Sequence, residues 1–376
     1  MLFSVATAED NLSLLSVAKP DGSLLLINAA TAEDDLALSG DAIAEVNPSM
    51  FGVVKPEDSL LLMNAATADD DLAQTNDAED DLKQSNDEAA NEVLAQEIES
   101  FCQRVDKKLS SVNQVECVRI GLRDSGADSL KATPLFYKDF GSEDKSAARV
   151  LLIGGIHGDE YSSVSIVFKW LAMLEEDLGD RFQWRVIPVL NPDGLLRPPR
   201  MSQRMNANGV DLNRNFPTPD WEEKAHEHWV QRARKNKRRY PGPAPLSEPE
   251  TAWLVEQIEV FQPHAVVSVH APHGVVDFDG PRVPPEQLGP LELKLLGTYP
   301  GSMGRYIGIH KGIPLLTLEL ESAFGMPAQN EVYAIWYDML GWLQEKIALP
   351  LKLAEERERA PATDVLRVGA DPDNEG

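Results

Sequence analysis

Short apolar runs at 149–153, 264–269 and 314–320 alternate with segments of helical period, and each run ends on or within a few residues of a histidine or glutamate. Runs this short, bounded by Gly and Pro, read as strands buried on both faces rather than as core helices. Around them the pattern predicts a helix over 92–109, strands over 115–122 and 133–137, a helix over 161–174 and a strand over 184–190. Pro134 confines the second of these strands to a sheet edge or a strand start. After a long polar loop come a helix over 248–261 and, following the strand at 314–320, a last helix over 331–347. Strands alternating with helices predict an α/β fold: a mixed, largely parallel sheet with helices on both faces.

The N-terminal quarter has a different texture. Residues 1–100 hold 22 Asp and Glu against 3 Lys and Arg, so most of the net charge of −26 lies there. Residues 19–36 recur 36 residues later as 55–72, and 74–91 is polar, acidic and without aromatics. Two copies fall short of the roughly three units that a stacked repeat array needs to bury a core. The expected organisation is therefore an acidic, weakly ordered extension and linker over 1–91, a folded α/β domain over 92–354 and a tail over 355–376 that frays. The acidic repeats are open to a protein partner or to self-contact. A field of this sign repels phosphate backbones and excludes nucleic-acid binding as the main function. No stretch approaches ~18 consecutive apolar residues, and the start lacks the basic and apolar regions of a signal peptide, so the expectation is a cytoplasmic protein without membrane attachment. Cys102 and Cys117 carry no C-x-x-C spacing and read as two reduced thiols.

The chemistry gathers where such a sheet places it, beyond the carboxyl ends of the strands. His157 and Glu160 follow the first buried strand in Gly154-Gly155-Ile156-His157-Gly158-Asp159-Glu160, His270 ends the second, and Glu319 lies near the end of the third. Two histidines and a glutamate suit a zinc ion with one position left open, which is a catalytic arrangement. Glu319 is then the free carboxylate that takes a proton from water. Taken singly, His270 is also a common core histidine, and Glu319 has Glu321 as a neighbour; their joint placement after three strands is what favours the zinc reading.

Between these groups, Asn191-Pro192-Asp193-Gly194 is followed by Arg204-Met205-Asn206-Ala207-Asn208-Gly209-Val210-Asp211-Leu212-Asn213-Arg214-Asn215-Phe216-Pro217. With the His157 and Glu160 segment upstream, His270-Ala271-Pro272-His273 downstream and Thr317-Leu318-Glu319-Leu320 beyond, residues 130–350 resemble the zinc metallocarboxypeptidase family of the carboxypeptidase A kind. Segments 209–217, 241–251 and 299–304 look most like those of bacterial murein peptide amidases.

The resemblance implies one Zn(2+) held by His157, Glu160 and His270, and a metal-activated water with Glu319 as general base. It implies that Arg204 stabilises the oxyanion, while Asn213 and Arg214 bind the terminal carboxylate of a small peptide. Tyr299 is implied to be the mobile tyrosine that closes over substrate, and Met303 to lie near the floor of the side-chain pocket. A neutral floor argues against a simple Lys- or Arg-specific enzyme. His273 is a further candidate for substrate contact. The implied reaction is hydrolysis between γ-D-glutamate and meso-diaminopimelate in peptidoglycan-derived peptides. The alternatives are a general metallocarboxypeptidase, an N-acyl amino acid deacylase of the desuccinylase or aspartoacylase type, and a non-catalytic binding protein on the same scaffold.

Overall fold

The computed structural model describes residues 5–8, 12–18, 24–28 and 71–359, except 142, 143, 145, 177, 178, 180, 199 and 200, with side chains from residue 89 onward. The chain divides into two compact units, Met1–Ala73 and Gln74–Gly376. In the first, β1 (Val5–Ala8), β2 (Leu12–Ala18) and β3 (Leu24–Asn28) form an antiparallel sheet in that order. Apart from β3 and the first two residues of the helix that follows, the repeats at 19–36 and 55–72 lie outside the described residues, as does the tail from residue 360.

The helix α1 spans Asp71–Lys108, so the acidic segment read as a linker is helical. Next comes α2 (Gln114–Arg119), where the sequence pattern predicts a strand. Asn113 overrides the β-branched valines: its side chain accepts hydrogen bonds from the backbone N–H groups of Val115 and Glu116 and caps the helix. Cys117 and Ile120, three apart, turn inward, while Val115 stays exposed. The two cysteines are also not free thiols. Cys102 and Cys117 are fully buried and joined as a disulfide that ties α1 to α2. A bridge across 15 residues contributes about 3 kcal/mol in the chain-entropy account. Denatured without reductant, the chain is expected to take up no maleimide, and two equivalents after reduction; two equivalents before reduction would sink the bridge.

The second sheet contains β4 (Arg123–Asp128), β5 (Pro134–Gly141), β6 (Arg149–Ile153), β7 (Gln183–Ile187), β8 (Ala265–His270), β9 (Val275–Asp279), β10 (Gln287–Leu288), β11 (Leu291–Leu293) and β12 (Leu315–Glu319). Its order is β10-β11-β9-β12-β8-β6-β7-β5-β4. The four central strands, β12, β8, β6 and β7, are parallel, and β5 and β9 flank them antiparallel. Pro134 opens β5, where its missing N–H breaks no ladder bond. Alternation along β6 sends Val150 and Leu152 into one core and Leu151 and Ile153 into the other. On the first face, α1, α2, α3 (Tyr161–Glu175) and α7 (Gln329–Leu343) pack around Trp170, Trp184 and Trp336, the Trp336 ring lying 5.4 Å from each of the other two. On the second, α6 (Pro249–Phe261) and a π-type turn at Gly304–His310 supply Trp253, Leu254, Tyr306 and Ile307.

Two helices fall where sequence predicts none. The polar loop contains a short turn of helix, α4 (Pro192–Leu195), and α5 (Trp221–Gln231). After α7 and a further π-type turn, α8 (Leu349–Arg359) continues past the point where fraying is expected. Among the described residues no helix is long and apolar enough to cross a membrane.

Candidate active site

The parallel strands β6, β8 and β12 end side by side and deliver the reactive groups to one edge. Glu319 is registered opposite His270, and the loop after β6 brings in His157. Glu160 stands at the N-cap of α3 without capping it; its carboxylate turns instead to the histidines. The positive end of α3 favours a negative charge there.

His157, Glu160 and His270 are all buried, and a nitrogen or oxygen from each lies within 4.8 Å of the others. His157 Nδ1 is 2.8 Å from Glu160 Oε1 and 3.2 Å from His270 Nδ1, which in turn is 3.3 Å from Glu160 Oε2. The far nitrogen of each ring is already engaged: His157 Nε2 is 3.2 Å from Asp211 Oδ1, and His270 Nε2 is 3.0 Å from the Ser268 hydroxyl. Such outer partners fix ring orientation and leave both Nδ1 atoms free to ligate. Glu319 Oε2 is buried without a hydrogen-bond partner and lines the same cavity. Three converging donors and one orphaned carboxylate oxygen fit a zinc ion with an adjacent base.

Arg204 closes the far side. Its Nε donates to Asp211 Oδ2 at 3.0 Å and its Nη1 to Glu160 Oε1 at 3.1 Å. Burial alone would raise the Asp211 carboxyl, but Arg204 and His157 hold it well below the usual carboxylate range. Burial pushes Glu160 up as well, and the two imidazoles outweigh it and bring it down. Glu319 goes the other way: burial raises it, helped by Glu160 and Asp277 against the pull of His270 and Arg204. Asn191 holds the loops in register, accepting from the Gly194 N–H and donating to the carbonyls of Ile156 and Arg204.

Asn213 and Arg214 line the cavity together with Tyr299. The Asn213 side-chain oxygen Oδ1 accepts from the Met303 N–H at 2.8 Å. Arg214 is buried, and burial lowers its guanidinium to about 10, so it stays charged at neutral pH. Tyr299 lies over that guanidinium at 4.5 Å and against His228 at 5.3 Å. Gly301 permits this approach: at φ 76 a Cβ would lie 2.0 Å from the Arg214 carbonyl oxygen.

Met303 lies between the lining residues Ser302 and Gly304. It is 1% exposed, packs in the second core with Leu212, Phe216 and Tyr306, and does not line the cavity. The wall is built instead by Asp277 and Asp279 of β9 together with Ser302, Gly304 and Thr317. Asp277 faces Thr317 across the β9–β12 ladder and accepts N–H bonds from Phe278 and Leu296. Asp279 is pushed up to about 6 by burial and by Asp277 beside it. The signal was present in Val275-Val276-Asp277-Phe278-Asp279, where strand alternation puts both acids on one face. Asp211 was likewise visible inside the Arg204 to Pro217 segment, but only the fold reveals its two partners. His273 is exposed and, like Phe324, lines the cavity.

The zinc carboxypeptidase family profile matches residues 112–278. Murein peptide amidase A of Vibrio campbellii is 32% identical over 202 residues, covering 51% of this chain and 76% of the relative. The chain belongs to the zinc carboxypeptidase family. Murein peptide amidase A of Escherichia coli K12 is 37% identical to this chain over 151 residues, which span 40% of this chain and 59% of that protein. The crystal structure of murein-tripeptide amidase MpaA from Escherichia coli O157 superposes with a TM-score of 0.40 and 25% identity, over 64% of this chain and 93% of that one. As a zinc carboxypeptidase family member, the chain has the mixed α/β sheet and the His157, Glu160 and His270 cluster that could hold the metal.

Proposed function

We propose that this chain hydrolyses the amide bond before a C-terminal diaminopimelate in peptidoglycan-derived peptides, with residues 92–354 as the catalytic part. The observation that carries the reading is a cavity of about 650 Å³ that joins the His157, Glu160 and His270 cluster to two opposed features. One is the Asn213 amide beside the cationic Arg214, suited to a terminal carboxylate; the other is the acidic pair Asp277 and Asp279, suited to an ammonium group farther along the same residue. A C-terminal meso-diaminopimelate carries both groups. The murein peptide amidase relatives support the same choice.

A zinc ion bound by His157, Glu160 and His270 would supply Lewis-acid activation of a water and of the scissile carbonyl. Glu319 removes the water's proton and returns it to the leaving amine. Arg204, held by Asp211 and Glu160, donates to the carbonyl oxygen as charge develops on it. Asn213 and Arg214 orient the released residue, and Tyr299 covers it.

Mass spectrometry of L-Ala-γ-D-Glu-meso-diaminopimelate incubated with the zinc-loaded protein tests the reading, beside peptides ending in Lys, Leu or Phe. Release of diaminopimelate is expected. The acidic pair also fits a second reading, a carboxypeptidase for C-terminal Lys or Arg, and preferential cleavage of the Lys peptide would replace the first with it.

Asp279 gives this pocket a pH dependence. With its carboxyl at about 6, the acid is neutral below that pH and charged above it. KM for a substrate with a side-chain ammonium is expected to rise about tenfold from pH 7 to pH 5, the scale of one lost charge contact. KM for the Leu peptide should not follow it; parallel pH profiles for the two would remove Asp279 from recognition. The compartment is tested separately. The sequence expectation is cytoplasmic, whereas a bond between Cys102 and Cys117 belongs to oxidising surroundings. A thiol count on protein drawn from its native source distinguishes the two.

A further inference from the structure

We propose that Arg238, held at the mouth of the cavity by Asp159, is a specificity residue that takes a free carboxylate on the acyl side of the scissile bond. In a chain of net charge −26, residues 232–239 carry Arg232, Arg234, Lys235, Lys237, Arg238 and Arg239 with no acid among them. Of this segment, Asn236, Arg238 and Arg239 line the cavity. The turn is fixed in place. Asn236 accepts from the Arg238 N–H through its side chain and from Trp229 Nε1 through its carbonyl, and the Tyr240 carbonyl accepts from the Asp211 N–H beside His157.

Arg238 Nη1 donates to Asp159 Oδ2 at 2.6 Å, and Asp159 stands directly before the ligand Glu160 in sequence. That pair uses one of the five donors of the guanidinium fork, and the side chain lines the cavity while staying 52% exposed. Asn213, Arg214, Tyr299, Asp277 and Asp279 serve the released residue in the hydrolase reading, on which this inference rests. The remaining wall, formed by Asp159, Arg238, Pro272, His273 and Phe324, is left for the acyl portion. An ordinary peptide backbone presents only neutral amides there. A γ-linked glutamyl group presents its free α-carboxylate on the α-carbon, beyond two methylenes from the scissile carbonyl, and a planar guanidinium fork is suited to receive it. The substrate class is thus an amide whose acyl group carries its own carboxylate.

The test compares kcat/KM within two matched pairs, using the zinc-loaded full chain. One pair is L-Ala-γ-D-Glu-meso-diaminopimelate and its α-carboxamide; the other is α-linked, with Glu or Gln before the same C-terminal residue. The parent is expected to favour the carboxylate about tenfold, the worth of one partly exposed charged contact. Arg238→Gln should reduce that ratio to within about twofold, and Arg238→Lys should keep part of it. Each ratio is read on one preparation, so a loss of folded fraction cancels. A parent ratio near one in every cleaved pair, or a ratio unchanged in Arg238→Gln, overturns the proposal. If only the α-linked pair is cleaved, the peptidoglycan reading fails while Arg238 is still judged on Glu against Gln. Cleavage of none of the four overturns both.

Discussion

Glu319→Gln is expected to lower kcat by about 10²- to 10⁴-fold, the span of a lost general base, while leaving zinc content unchanged. The amide has nearly the volume of the carboxylate and cannot accept the proton. Glu319 Oε2 has no hydrogen-bond partner and its carboxyl is already raised by burial, so the substitution removes a charge that the fold does not rely on. The melting temperature should therefore hold or rise. Metal analysis, single-turnover kinetics and a melting curve on one sample separate the outcomes. Turnover within about threefold of the parent, on a metal-loaded and folded variant, would exclude Glu319 as the base.

His157→Ala is expected to abolish both bound zinc and activity. The imidazole is 1% exposed and contacts Glu160, His270 and Asp211 at once. Its loss removes one ligand and leaves the buried Glu160 and Asp211 carboxylates bridged by Arg204 alone. The effect has a readout independent of turnover. A metal that binds only the folded state stabilises by about 2.7 kcal/mol at 100 times its dissociation constant, so a chelator should lower the melting temperature of the parent. The variant should melt at one temperature with or without chelator. A variant that keeps one zinc per chain would refute the ligand assignment.

Much of the fold was legible because strand and helix periods are local. The runs at 149–153, 264–269 and 314–320 become β6, β8 and β12 within a residue or so, and the 161–174 and 248–261 patterns become α3 and α6. The segment 115–122 was misread because β-branched residues dominate its propensity, while one hydrogen-bonding side chain, Asn113, decides its geometry. The disulfide was invisible for a related reason. A spacing of 15 residues says nothing until a helical hairpin brings the two Cα atoms to 5.6 Å.

Sequence by itself determined the strands β5, β6, β7, β8 and β12, the candidate residues at the carboxyl ends of β6, β8 and β12 and the family resemblance, because each rests on short-range pattern or ordered motifs. Only the tertiary structure decided which side chains share a cavity. It turned Met303 into the core and Asp277 and Asp279 to the cavity wall, joined Asp211 to both His157 and Arg204, and set Arg238 on Asp159 across 79 residues of chain. Pairings between distant segments depend on strand order and loop path, which no local period encodes.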